Sequence, residues 1–228
     1  MGEDKGLQEI WRRLYAYIVE YRYVYNFAWL GRPIVQFPQD IVAVQEILWQ
    51  VRPDLVIETG IAHGGSLVLS ASILELLGRG TVLGIDIEIR PHNRRAIEEH
   101  PLAPRIRMIE GSSVDPAVAD QVRAAAAGKG PVLVILDAMH THDHVRKELE
   151  LYSPLVTKGS YLIVFDTAIE DVPDGCLPPD RPWGKGNNPK TAVREFLRHN
   201  HRFEIDKQRD IKLGMTSAPD GFLRCVSD

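Results

Sequence analysis

Two aspartates and a histidine stand out by type and spacing. They are Asp137 and His140 in Asp137-Ala138-Met139-His140, and Asp166 in Phe165-Asp166-Thr167. Asp137 and Asp166 each end an apolar run, and two carboxylates brought together suit a hard divalent cation such as Mg²⁺. Such an ion orders two neighbouring oxygens of a bound molecule. Imidazole titrates near neutrality, so His140 suits a general base that takes a proton from an attacking hydroxyl.

A second constellation is the turn Glu58-Thr59-Gly60-Ile61-Ala62-His63-Gly64-Gly65-Ser66, which follows an apolar run and opens a helical stretch. Gly60 permits a sharp turn, while Gly64 and Gly65 permit close approach of a ligand to the main chain. Glu58 would repel a phosphate here but would accept hydrogen bonds from an amino-acid ammonium. Asp86 ends the next apolar run, where nucleoside-binding sheets hold ribose hydroxyls, with Glu88 two residues on as the alternative. Ser112-Ser113 follow the third run, placed either to meet an adenine edge or to cap a helix. A competing reading takes His140-Thr141-His142-Asp143-His144 as a zinc cluster. It resembles the HxHxDH motif of metallo-β-lactamase-like hydrolases, one residue short before Asp143, and three imidazoles suit zinc.

The elements that must position these groups alternate along the chain. Apolar runs at 55–60, 81–87, 106–111, 131–138 and 160–167 are separated by helical stretches. Strands rich in Val, Ile and Leu without alternation belong to a parallel sheet covered on both faces. The expected fold is therefore α/β, a doubly wound Rossmann-like sheet whose carboxyl-end rim collects the turn, Asp137 and Asp166. Residues 7–28 read as an amphipathic aromatic helix, giving an N-terminal extension (1–30) ahead of the main domain (31–228) and a surface for self-association. Asp40 is expected to cap the next helix, and Asn188 another with Pro189 at its first position. Between them, 170–189 is a long Pro/Gly-rich loop, a lid candidate with Trp183 as a stacking residue. The tail reads as two strands around Pro219-Asp220-Gly221.

Composition excludes several classes. The 228 residues carry 27 basic and 31 acidic side chains, a net charge of −4, which argues against a protein that tracks nucleic-acid phosphates. No apolar stretch approaches the length of a membrane span. The charged N-terminus lacks a signal-peptide core, and two cysteines, Cys176 and Cys225, suit thiols in a reducing cytoplasm.

Taken in order, IETGIAHGGSL, GIDI, GSSVDP, ILDAMH and VFDT resemble the cephalosporin hydroxylase family over roughly residues 30–225. Despite its name, that family is similar to class I S-adenosylmethionine (SAM)-dependent methyltransferases and includes enzymes that methylate cephem and sugar hydroxyls. The resemblance implies an O-methyltransferase acting on a carbohydrate hydroxyl of a small-molecule acceptor. It implies Glu58, Gly60, Gly64, Ser66, Asp86 and Ser113 as the SAM site, Asp137 and Asp166 as Mg²⁺ ligands, and His140 as the base. Several relatives carry Glu-Asp where this chain has Phe165-Asp166, and catechol O-methyltransferase carries Asp-Asn where it has Asp166-Thr167. Metal ligation is therefore expected to rest on the two aspartates with Thr167 or water.

Overall fold

The computed structural model describes residues 4–173, 175–177 and 180–228. Helix α1 (Lys5–Glu20) is capped by Asp4, whose carboxylate accepts from the Leu7 amide at 3.0 Å. The helical reading of 7–28 runs too long. The chain tightens into a 3-10 turn at Tyr23–Asn26 and then forms a small hairpin, β1 (Ala28–Trp29) with β2 (Arg32–Pro33).

Next comes α2 (Pro38–Val51), with Phe37 at its N-cap and Pro38 at its first position. Asp40 is therefore not the cap. It lies in the first turn, fully buried, and accepts from the Ser217 amide at 2.9 Å, the Ser217 hydroxyl at 2.8 Å and the Thr216 hydroxyl.

From there strand and helix alternate: β3 (Leu55–Thr59), α3 (Gly65–Leu77), β4 (Thr81–Asp86), α4 (Pro91–Glu98), β5 (Ile106–Glu110), α5 (Pro116–Ala126), β6 (Val132–Leu136), α6 (His142–Tyr152) and β7 (Tyr161–Val164). After the long loop follow α7 (Pro189–His199), β8 (Phe203–Ile205), α8 (Lys207–Leu213) and β9 (Phe222–Cys225). Seven strands form one sheet in the order β5-β4-β3-β6-β7-β9-β8, with β3 to β7 parallel and β9 antiparallel to both neighbours. This is the expected doubly wound α/β sheet. The tail departs from expectation: α8 separates its two strands, and Pro219-Asp220-Gly221 leads into β9 rather than joining them.

Successive residues of one strand serve opposite cores, as strand geometry requires. Val56, Leu133 and Ile163 pack with Val44, Leu67 and Leu74 of α2 and α3 on one face. Ile57, Val134 and Leu162 pack with Val122, Leu149 and Val193 of α5, α6 and α7 on the other. Each such buried side chain contributes about 1.5–3 kcal/mol. The sheet is thereby a rigid frame, and its carboxyl-end rim carries the candidate site.

Candidate active site

The glycine turn is held from three sides by groups brought from elsewhere in the chain. Asp86 at the end of β4 accepts from the Ile61 and Ala62 amides through one carboxylate oxygen, at 2.8 and 3.2 Å. Asn93 of α4 donates to the Ala62 carbonyl at 3.0 Å, and Arg32 of β2 reaches the His63 carbonyl and Asn93, at 3.0 and 3.1 Å. Expected to face a ribose, Asp86 thus also braces the turn, and Glu88 beyond it is exposed. Arg32 and Asn93 were not visible as site residues in the sequence, because nothing local marks them. They act only where β2 and α4 meet the turn.

Glycines in this turn serve close packing. A side chain on Gly60, whose φ is +89°, would run into the Asp137 carbonyl, and one on Gly65 would strike the backbone at Pro33-Ile34. A side chain on Gly64 would collide with Ile97. The turn is therefore seated directly against the loop that carries Asp137.

Glu58, inside β3, is 1% exposed. Its Oε1 accepts from the Ser66 hydroxyl, while Oε2 has no hydrogen-bond partner among the described residues. Burial pushes its carboxyl up to about 7, partly offset by the Ser66 hydrogen bond.

Asp137, His140 and Asp166 converge as expected. One ligand atom of each lies within 4.8 Å of the others, and His140 Nε2 is 3.1 Å from Asp166 Oδ2. Burial, and then repulsion from Asp166 and Glu58, hold the Asp137 carboxyl well above its usual range. Two acids crowded with an imidazole in this way fit a divalent cation, whose charge offsets that repulsion. Asp166 adopts a left-handed conformation (φ +57°) at the start of a 3-10 turn, Thr167–Asp171. Trp183, from the long loop, meets the His140 ring edge-on at 4.8 Å between centroids.

Thr167 stands apart from this group. Fully buried, it donates its hydroxyl to the Pro219 carbonyl at 2.8 Å, so the third group beside the aspartates is His140 rather than Thr167. Ser113 is buried, with its hydroxyl 3.1 Å from His144 Nε2 and its carbonyl accepting from the Tyr152 hydroxyl.

The histidines do not form a zinc cluster. His140 turns to Asp166, His142 to Thr191 and Glu195 of α7 at 2.8 and 3.2 Å, and His144 to Ser113 and the buried Glu148. The hydrolase reading is set aside on this divergence.

A family model for rhamnosyl O-methyltransferase/CmcI matches residues 21–226. The chain belongs to the rhamnosyl O-methyltransferase/CmcI family. Rhamnosyl O-methyltransferase of Mycobacterium tuberculosis (strain ATCC 25618 / H37Rv) is 37% identical over 187 residues, covering 81% of this chain and 72% of the relative. Its counterpart in Mycobacterium leprae (strain TN) is 33% identical over 198 residues, covering 86% and 81%. A structure of CmcI with Mg and SAM superposes with a TM-score of 0.60 at 19% identity, covering 89% of this chain and 78% of that one, a likeness of fold. As a member of the rhamnosyl O-methyltransferase/CmcI family, the protein is a SAM-dependent O-methyltransferase.

Proposed function

We propose that the protein transfers the methyl group of SAM to a sugar hydroxyl, with the proton removed by His140 beside a cation held by Asp137 and Asp166. The observation that carries this reading is the convergence of Asp137, His140 and Asp166 on the rim that also carries the turn of Glu58. The names of the mycobacterial relatives supply the sugar class of the acceptor.

When bound, SAM supplies an electrophilic methyl on sulfonium, and Mg²⁺ supplies charge that orders the acceptor oxygens. The chain does the rest. Glu58, ionised against an ammonium group, gains the partner its Oε2 lacks. Asp86 and Asn93 fix the turn so that its amides keep one position. Ser113, its hydroxyl 3.1 Å from His144 Nε2, is assigned to the adenine edge. His140, with Nε2 3.1 Å from Asp166 Oδ2 and its ring set edge-on to Trp183, is held beside the cation position as the group that takes the acceptor proton. Alignment of acceptor oxygen and methyl carbon lowers the barrier by up to about 7–11 kcal/mol.

The reading also includes a cytoplasmic setting, supported by two free thiols, and self-association through an exposed apolar stripe of α1 and its C-cap (Ile10, Leu14, Tyr17 and Tyr21). Among the described residues no helix is long and apolar enough to cross a membrane.

The test is isothermal titration with SAM followed by product mass after incubation with a rhamnoside. Micromolar SAM binding lost in Glu58→Lys, and a gain of one methyl on the sugar that EDTA prevents, support the reading. Absence of SAM binding would refute it, and methyl transfer untouched by EDTA would remove the cation from it.

A further inference from the structure

The segment between β2 and α2 is fastened to the elements around it. Arg32 holds the His63 carbonyl of the glycine turn, the Ile34 amide donates to the Phe27 carbonyl at 3.0 Å, and Phe37 occupies the N-cap of α2. Gln36 lies inside this stretch and is only 5% exposed. An amide oxygen taken out of water needs a donor, and one left without a donor costs stability. The side-chain carbonyl of Gln36 has no hydrogen-bond partner among the described residues, and neither has Glu58 Oε2.

Gln36 and Ser66 line one cavity of about 40 Å³, bordered also by Ile34, Gly60, His63 and Asp137. The Ser66 hydroxyl binds the other oxygen of Glu58, so the Glu58 carboxylate is anchored to a wall of that cavity. A single water needs about 10–15 Å³ of void, so this space admits a head group of a few atoms and not a nucleoside. The chemistry of its walls then decides what enters. Two acceptors that lack donors, one of them a carboxyl, fit a group with positive charge and several N–H donors. A primary ammonium carries three donors on one nitrogen. Asp137 at the border adds a further acid, which disfavours a carboxylate or phosphate in the same place.

We propose that Gln36 is a further binding residue for the methyl donor: its side-chain carbonyl and Glu58 Oε2 together hold the ammonium group of the donor's amino-acid end. Gln36 thereby selects ligands that carry this head group over nucleosides that lack it. The proposal rests on the methyltransferase reading above, and it extends donor recognition from the glycine turn to the segment that precedes α2.

The experiment is isothermal titration of the full chain at pH 8 with S-adenosylhomocysteine (SAH) and with its deamino analogue, in which hydrogen replaces the ammonium group. The wild type is expected to bind SAH at least tenfold more tightly than the analogue. Gln36→Met, close in shape but without the amide, should weaken SAH about tenfold while affinity for the analogue stays within twofold. Gln36→Glu keeps an acceptor oxygen and removes the amide donors, so it should hold SAH affinity within threefold of wild type. Should Gln36→Met fail to fold, Gln36→Ala gives the same readout. Unchanged SAH affinity in Gln36→Met, an equal loss for SAH and the analogue, or a loss in Gln36→Glu as large as in Gln36→Met would overturn the proposal. Failure of the wild type to bind SAH would instead strike the methyltransferase reading, so the two failures are told apart.

Discussion

Glu58 combines two demands that conflict. In the proposed role its carboxylate must be ionised to hold an ammonium group, yet burial pushes its carboxyl up to about 7. SAM affinity should therefore weaken as pH falls from 8 to 6, as the ionised fraction drops. Titration calorimetry across that range should show the slope in the wild type and a flat, at least tenfold weaker profile in Glu58→Gln, the loss expected of a charge-assisted hydrogen bond. In the proposed mechanism His140 acts later in the sequence of events. His140→Ala should lower kcat by about 10²–10⁴, the usual contribution of a positioned base, with SAM affinity within twofold of wild type. Single-turnover kinetics beside calorimetry would check both halves, and unchanged turnover would take the imidazole out of the chemistry.

The two ends of the long loop are tied together. Glu170 accepts from the Gly186 amide at 2.8 Å and from the Asn188 side chain at 2.6 Å. Asn188 in turn caps α7 through a reciprocal box with Thr191. Glu170→Ala should free Trp183 from His140 and raise the acceptor KM several-fold with little change in SAM affinity. Steady-state kinetics would show it, and an unchanged KM would mean that the loop needs no such tie.

The five parallel strands were legible in the sequence, because strands buried on both faces are continuous apolar runs bounded by glycine and acid. The Asn188-Pro189 helix start was equally plain, since its chemistry is local. What escaped is what depends on distant partners. Lys207–Leu213 is short and charged, and its helix is tied through Arg209 and Lys212 to Glu46 of α2. Asp40 has the composition of a cap, but Phe37-Pro38 starts the helix three residues earlier and leaves the carboxylate to Thr216 and Ser217. Thr167 sits beside a site aspartate in sequence, yet the 3-10 turn directs its hydroxyl to Pro219.

Over the whole molecule, four carboxyls among the described residues are displaced upward chiefly by burial: Glu58 to about 7, Asp210 to about 7, Asp40 to about 6, and Asp137 well above its usual range. Each binds a proton more tightly folded than unfolded. The stability this gives is complete below about pH 4 and is lost as pH rises through 6 to 7. For Glu58 alone the loss is on the order of 3 kcal/mol. The ligand-free protein should accordingly show a falling Tm from pH 5 to pH 8, and Glu58→Gln should raise Tm at pH 8 by several degrees. Scanning calorimetry would decide, and a Tm that rises over that range would contradict the assignment. Saturating SAM should restore part of the loss, since a bound ammonium group favours the ionised carboxylate.

The contact between Gly60 and the Asp137 carbonyl has a further consequence. With no side chain between them, the loop proposed to hold the methyl donor and the loop proposed to hold the cation are expected to shift together. Occupancy of either position then biases the other, by the same factor in both directions. Mg²⁺ titrated with and without SAH, and SAH titrated with and without Mg²⁺, should return one shared ratio of affinities, and Gly60→Ala should spoil both sites at a single stroke.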